Sequence, residues 1–168
     1  MTPGEAAGIL AASGEAIARL ARSVPREMAG WRPAPNEWSV NECLGHLIEA
    51  EHRGFGGRMR TMLEGDEPGL EAWDAAEVAA NRDDRKRDPA SLAAEFESLR
   101  AESLDLLNSV RDSDMQRGAI HPRIGRITVD ELLHEWVHHD ANHLRQAYAV
   151  VEACVWPAMG NTQTFSRE

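Results

Sequence analysis

Features of membrane, secreted and nucleic-acid-binding proteins are missing from this sequence of 168 residues. No apolar run reaches the roughly 18 residues that a membrane-spanning helix needs. The first residues lack the basic segment followed by an apolar segment that is typical of a secretory signal. Binding to nucleic-acid phosphates requires a basic surface, whereas the formal net charge is −10. We therefore expect a soluble protein with neither a nucleic-acid nor a membrane partner.

Cysteine is also scarce. Cys43 and Cys154 are the two cysteines of the chain, and they show neither the close spacing of a metal or redox motif nor a disulfide pattern. Reduced thiols and a cytoplasmic location are the resulting prediction. The length suits one domain with a sizeable core. We expect a single domain over residues 1–168, with its core in about 5–155 and a C-terminal tail over 156–168.

The sequence predicts four long helices, over residues 4 to about 28, 39 to about 63, 88 to about 111 and 128 to about 153. Apolar residues in the first helix recur at three- and four-residue steps, which is typical of an amphipathic helix. Ser39 and Thr128 each begin a capping box, and Asp88 precedes a proline at a helix start. No stretch alternates convincingly between apolar and polar residues. The prediction is an all-α four-helix bundle.

The segments between these helices are expected to be mostly irregular. Prolines exclude a continuous helix from the tryptophan- and proline-rich segment 30–38, so we expect an ordered connector there. A short helix is expected between Asp74 and Asp84, and the charged run 81–88 is expected to be solvated. Residues 112–127 are predicted to form a polar loop, and residues 161–168 a tail.

Four of the seven histidines lie in one ten-residue stretch of the last long helix, residues 134–143. On a helical wheel, at about 100° per residue, His139 and His143 fall on the apolar stripe or at its margin. His134 and His138 fall on the opposite side, toward solvent. Because His139 and His143 are four residues apart, they lie one above the other on the same face.

Two stacked imidazoles can bind one metal ion if a third ligand comes from elsewhere. The competing interpretation is two core histidines that bond to neighbouring side chains, since an unpaired buried polar group costs about 1–3 kcal/mol. Candidates for the third ligand are His46, His52 and His121. Periodicity prefers His46 slightly, because the residues on its side of the helix are small, but periodicity alone does not choose among them.

Several carboxylates lie near these histidines in the sequence. Glu42 and Glu49 are one turn either side of His46, and Glu135 is one turn before His139. Solvated carboxylates are the simpler interpretation of all three. Asp140 falls inside the apolar stripe, so we expect a partner for it, either a backbone amide or an indole of the connector at 31–38. A proton-transfer role at a metal is the other interpretation of Asp140.

In combination, these motifs resemble the DinB-like superfamily. The matching features are the connector Trp31–Trp38, the run from Glu37 to Leu47, the run from Gly125 to Leu133 and the run from His139 to Gln146. The resemblance covers roughly residues 5–155. The combination is far more specific than any one of its parts.

The resemblance implies a bundle with an up-down-down-up arrangement and a three-histidine metal site between its second and fourth helices. The matching ligands are His46, His139 and His143. Gln146 matches the family position three residues after the last ligand, and Asp140 and Glu49 are further candidates for supporting residues. The family suggests a divalent ion such as zinc or nickel, and three imidazoles do not choose between these metals.

Three protein ligands leave one coordination position open, as in catalytic zinc sites. Relatives in this superfamily include transferases and isomerases that use low-molecular-weight thiols, and proteins described as metal-dependent hydrolases. We therefore expect a metal-dependent enzyme acting on a small molecule, with S-transfer that uses a thiol cosubstrate as the preferred chemistry and hydrolysis as the other. The alternative is a non-catalytic, stress-related protein that binds a metal or small ligand. Relatives often pair through bundle helices, so a homodimer is a further expectation.

Overall fold

Helices and one small hairpin make up the computed structural model, which describes residues 1–166. The helices are α1 (Pro3–Ser23), α2 (Arg26–Ala29), α3 (Val40–Glu49), α4 (Phe55–Glu64), α5 (Ala75–Arg82), α6 (Pro89–Ser109) and α7 (Val129–Val155). The all-α prediction is confirmed, with the hairpin as a small addition. No helix among the described residues is both long and apolar enough to cross a membrane.

The two ends of the core show the direction of each long helix. One cluster contains early residues of α1 and α7 with late residues of α4 and α6, namely Leu10, Trp136, Met59 and Leu107. The other contains late residues of α1 and α7 with early residues of α3 and α6, namely Ile17, Ala147, Leu47 and Phe96. Thus α1 and α7 run one way and α3–α4 and α6 run the other. The predicted up-down-down-up arrangement is confirmed, and residues 65–88 return the chain along the bundle.

The first helix is shorter than predicted. It begins at the capping box of Thr2 and ends at Ser23, because Val24 is extended, with φ −81° and ψ 141°. Pro25 follows, and a residue before proline is disfavoured in the helical region. The chain re-enters a helix only for the four residues of α2. The prediction of one helix to residue 28 was therefore wrong.

The second long helix contains a π-helical turn. It begins as predicted, since the Ser39 hydroxyl accepts the Glu42 amide at 3.3 Å and the Glu42 carboxylate accepts the Ser39 amide at 3.0 Å. Residues Ala50–Gly54 then form a π turn between α3 and α4. Such turns occur mostly as single insertions in α-helices, frequently at functional sites. Here the turn carries Glu51 into the core, where this residue is 1% exposed.

The charged run 81–88 is not solvated throughout, contrary to the prediction. Asp84 is buried and accepts a hydrogen bond from the Arg82 Nε at 2.6 Å. Arg82 also donates to Glu49 of α3 at 2.8 Å. A Cβ atom at Gly45 would lie 1.9 Å from an Asp84 carboxylate oxygen, so α3 must carry a glycine here. These contacts hold the returning connection against α3.

The predicted polar loop 112–127 contains an antiparallel hairpin. Strand β1 (Gly118–His121) pairs with β2 (Gly125–Thr128), with His121 opposite Gly125. Gly125 has a φ of +80°, a left-handed conformation that favours glycine after a three-residue hairpin loop. Four residues per strand are too few for a clear alternating pattern. Thr128 also caps α7, which joins the hairpin directly to the helix.

The C-terminal segment is more regular than the expected tail. Helix α7 ends at Val155, and Trp156–Ser166 wind in 3₁₀ turns with a kink at Gly160. The predicted tail also includes residues 167 and 168, which lie outside the described residues.

A buried ion network connects α6, the π turn, α7 and α1. Arg100 donates to Asp140 at 2.7 Å and to Glu51 at 3.1 Å. Ser13 donates to the same Asp140 oxygen at 2.8 Å, and the Trp136 indole donates to Glu51 at 3.3 Å. The Arg100, Glu51 and Asp140 side chains are no more than 5% exposed. The prediction that Asp140 bonds a partner in the connector was therefore wrong. Its carboxylate instead accepts a hydrogen bond from Arg100, whose long side chain reaches it from α6.

We expect Arg100→Met to lower the free energy of unfolding by about 3–5 kcal/mol, because two carboxylates remain buried without their cation. Urea unfolding followed by circular dichroism measures this change. Arg22→Met is the matched control, since Arg22 of α1 pairs with Glu97 of α6 at the surface and such pairs contribute about 0–1 kcal/mol. Equal losses of unfolding free energy in the two variants would show that the buried network contributes no more than a surface ion pair.

Candidate metal centre

Three histidines from α3 and α7 meet inside the bundle. His46, His139 and His143 each offer a ligand atom, and these atoms lie within 4.8 Å of one another. The Nε2 atoms of His46 and His139 are 2.9 Å apart. His46 and His143 are buried, and His139 is partly buried. Of the three candidates for a third ligand that periodicity left open, the structure brings His46 to the pair.

Local sequence explains this placement. The capping box at Ser39 fixes the start of α3, so that His46 falls about two turns into the helix. The four-residue spacing on α7 then places His139 above His143 on the side that faces α3. His134 and His138 are exposed, as the wheel predicted.

Gln146 orients one of the three imidazoles. His143 Nδ1 lies 2.9 Å from the Gln146 Oε1. Because that oxygen can only accept, Nδ1 donates and carries the proton, which leaves a lone pair on Nε2. This contact is the one expected of a residue that supports a metal ligand.

The other two imidazoles leave polar atoms without partners. The Nδ1 atoms of His46 and His139 are buried and have no hydrogen-bond partner among residues 1–166. Their Nε2 atoms face each other, and a single proton between them allows only one hydrogen bond. A cation that accepts lone pairs from all three Nε2 atoms would satisfy the inner side of the cluster. This donor set therefore fits a divalent metal ion.

Burial keeps the three imidazoles neutral. Together with the smaller effect of the neighbouring imidazoles, it lowers the pKa of His46 to about 4 and that of His139 to about 3. Burial also lowers the pKa of His143, although the Gln146 hydrogen bond opposes this shift. At neutral pH a metal ion would therefore not compete with protons for these ligands.

Aromatic side chains surround the cluster. Trp38 stacks on His143 with ring centroids 5.8 Å apart, and Trp73 stacks on His46 at the same distance. Phe55 meets the His139 ring edge-on at 4.9 Å. These rings remove water from the imidazoles, which explains their lowered pKa values. Sequence reasoning missed Trp73, whose main signal was its position as a lone tryptophan in a polar connection.

The neighbouring carboxylates serve other partners. Glu42 and Glu49 are buried, so the surface interpretation of both was wrong. Glu42 caps α3 and pairs with Arg32, and Glu49 pairs with Arg82. None of their described hydrogen bonds goes to a histidine of the cluster. Glu135 is exposed, as the simpler interpretation had it.

Comparison with known proteins agrees with this architecture. The family model of the DinB superfamily matches residues 9–147. The chain is also similar to YfiT from Bacillus subtilis (strain 168), with 25% identity over 108 residues. That match covers 64% of this chain and 60% of YfiT, so it spans less than two thirds of the relative.

The solved structure of YfiT has a closely similar fold. That protein is described as a probable metal-dependent hydrolase with an unusual four-helix bundle topology. The TM-score is 0.80 at 18% identity, over 88% of this chain and 85% of that structure. Because the family model matches most of the sequence and the bundle has the same topology, the chain belongs to the DinB superfamily.

Proposed function

We propose that His46, His139 and His143 bind one divalent metal ion, and that the protein is a metal-dependent hydrolase of a small molecule. The observation that carries this proposal is the convergence of three imidazoles whose ligand atoms lie within 4.8 Å of one another. The description of YfiT as a probable metal-dependent hydrolase supports the choice of reaction. Zinc and nickel are the metals we would test first.

The bound ion would supply Lewis-acid activation of water at the coordination position that three protein ligands leave open. The protein's own residues have separate tasks. The three imidazoles stay neutral and hold the ion, and Gln146 fixes the orientation of His143. Trp38, Trp73 and Phe55 limit the access of bulk water. Thiol-dependent S-transfer, a homodimer and a cytoplasmic location stay predictions.

We expect His46→Ala and His143→Ala to lose the metal that the unaltered protein retains, because each removes one of three ligands. The measurement is the metal content per chain of tag-free protein after dialysis against zinc or nickel, by inductively coupled plasma mass spectrometry. His138→Ala is the control, since His138 is an exposed histidine on the same helix. Equal metal content in all four proteins would show that the cluster is ordinary core packing.

Catalysis needs its own test. We expect zinc- or nickel-loaded protein to hydrolyse an activated ester such as 4-nitrophenyl acetate, and His143→Ala to lose this activity. A parallel assay with cysteine and monobromobimane measures S-transfer. Turnover only in the second assay would replace hydrolysis by S-transfer. Stoichiometric metal without turnover in either assay would favour the non-catalytic metal-binding alternative.

The metal-free protein should lose stability as the pH falls from about 6.5 to about 4. Unfolded histidine has a pKa near 6.5, whereas the folded values are about 4 for His46 and about 3 for His139. The unfolded chain therefore binds more protons in this window, and acid favours unfolding. We expect urea titrations between these pH values to show a smaller pH dependence for His46→Gln/His139→Gln. His138→Gln should keep the original pH dependence. Equal slopes of unfolding free energy against pH in the two variants would show that His46 and His139 do not cause the loss of stability.

A further inference from the structure

A second group of polar side chains lies beside the metal centre, in a cavity of about 520 Å³ between α4, the hairpin and α7. Arg58 of α4 and His121 of β1 line one part of this cavity. Ile124, Ile127 and Leu132 form its apolar wall. The space is large enough for a small organic molecule.

Arg58 is partly buried, as Arg82 is, but its partners differ from those of Arg82 and of the fully buried Arg100. Arg82 and Arg100 each pair with at least two carboxylates. Arg58 has no carboxylate partner among residues 1–166, and its Nε is buried without a hydrogen bond. A shielded cation ordinarily needs a partner that compensates for its loss of water. In a chain with a net charge of −10, this cation without a paired carboxylate points to an anionic ligand.

The hydrogen bonds of His121 determine which ring nitrogen faces Arg58. Two donors reach the His121 ring, the Arg123 backbone amide at 3.2 Å from Nδ1 and the Arg58 guanidinium at 3.4 Å from Nε2. A neutral imidazole accepts at only one nitrogen, and the shorter contact is at Nδ1, so we assign the accepting lone pair to Nδ1. The neutral imidazole must then carry its proton on Nε2. The Arg58 Nη2 beside this Nε2 can also only donate. Two donors therefore converge without an acceptor between them.

We propose that Arg58 and His121 bind the carboxylate of a small organic acid whose apolar part packs against Ile124, Ile127 and Leu132. A carboxylate has two acceptor oxygens, and a charge-assisted hydrogen bond from a guanidinium is about twice as strong as a neutral one. The two glutamates on the cavity do not occupy Arg58. Glu131 caps α7 through Thr128, and Glu135 is exposed to solvent.

The cavity lies next to the histidine cluster. Leu132 and Glu135 precede His139 by seven and four residues on the same side of α7, which is roughly 10 and 6 Å along the helix. Arg58 also lines a second cavity, of about 380 Å³, together with the Trp73 that stacks on His46. A carboxylate held by Arg58 would place a short substrate about one to two turns of α7 from the proposed metal ion. This last step rests on the proposed function, whereas carboxylate binding itself needs no metal.

Isobutyrate is a suitable probe because it combines a carboxylate with a branched apolar group, and isobutyramide is its neutral counterpart. In ¹H–¹⁵N spectra of the metal-free protein, we expect isobutyrate to shift the Arg58 Nε–H and Arg123 amide signals. Isobutyramide should leave both unchanged. In Arg58→Gln, binding is followed by the shift of the Arg123 amide signal. This variant should bind isobutyrate at least roughly tenfold more weakly than the unaltered protein. His121→Phe should weaken binding in the same direction.

Arg60→Gln is the matched control, because Arg60 is a partly exposed arginine on the same helix and lies 3.8 Å from Glu102. It should bind isobutyrate as the unaltered protein does. Equal affinity in Arg58→Gln and the unaltered protein, or equal binding of isobutyramide, would overturn the proposal. Thermal unfolding should show no loss in Arg58→Gln, because no carboxylate loses its partner.

Metal retention is measured separately, so that the metal proposal and the carboxylate proposal can be rejected independently. Arg58→Gln should retain as much zinc or nickel as the unaltered protein. Arg58-dependent binding of isobutyrate, together with no retention of zinc or nickel after loading and dialysis, would support the carboxylate site and overturn the metal centre. Metal retention without any isobutyrate binding would overturn the carboxylate site alone.

Discussion

The geometry of the histidine cluster depends on one buried arginine. Arg100 of α6 binds Asp140, the residue after His139, and Glu51, five residues after His46. A single guanidinium thus joins the two segments that carry the histidines, from a helix that contributes none. Buried charges are stable only when they are paired and hydrogen-bonded, so the positions of these three side chains are closely constrained. The relative placement of α3 and α7 follows from that constraint.

The cluster illustrates a conflict between folding and binding. Three imidazoles packed against tryptophan and phenylalanine rings lose hydration, and two of them have a buried Nδ1 with no partner in the described part of the chain. That arrangement costs folding free energy. The same desolvation keeps the lone pairs free of protons at neutral pH. A metal ion that binds only the folded chain would return stability in proportion to its affinity and concentration.

Local signals in the sequence predicted much of this structure. The capping boxes at Ser39 and Thr128 begin α3 and α7, and helical periodicity separated the inward His139 and His143 from the outward His134 and His138. What the sequence did not reveal depends on contacts between distant residues. The burial of Asp84 follows from a glycine on α3, and the Asp140 partner comes from a helix 40 residues away. Neither contact has a periodic signature.

The π turn at Ala50–Gly54 keeps the two halves of the second long helix in phase with the core. Leu47, Glu51, Phe55 and Met59 are all buried at successive steps of four residues. On a regular α-helix three such steps drift by about 120° around the axis, whereas the wider π turn absorbs this drift. The π turn therefore separates α3, which carries His46, from α4, which carries Arg58. Its one-residue insertion sets how far one segment is rotated about the helix axis relative to the other. Insertions or deletions in this turn would change the angle between the metal centre and the neighbouring cavity without altering a residue of either.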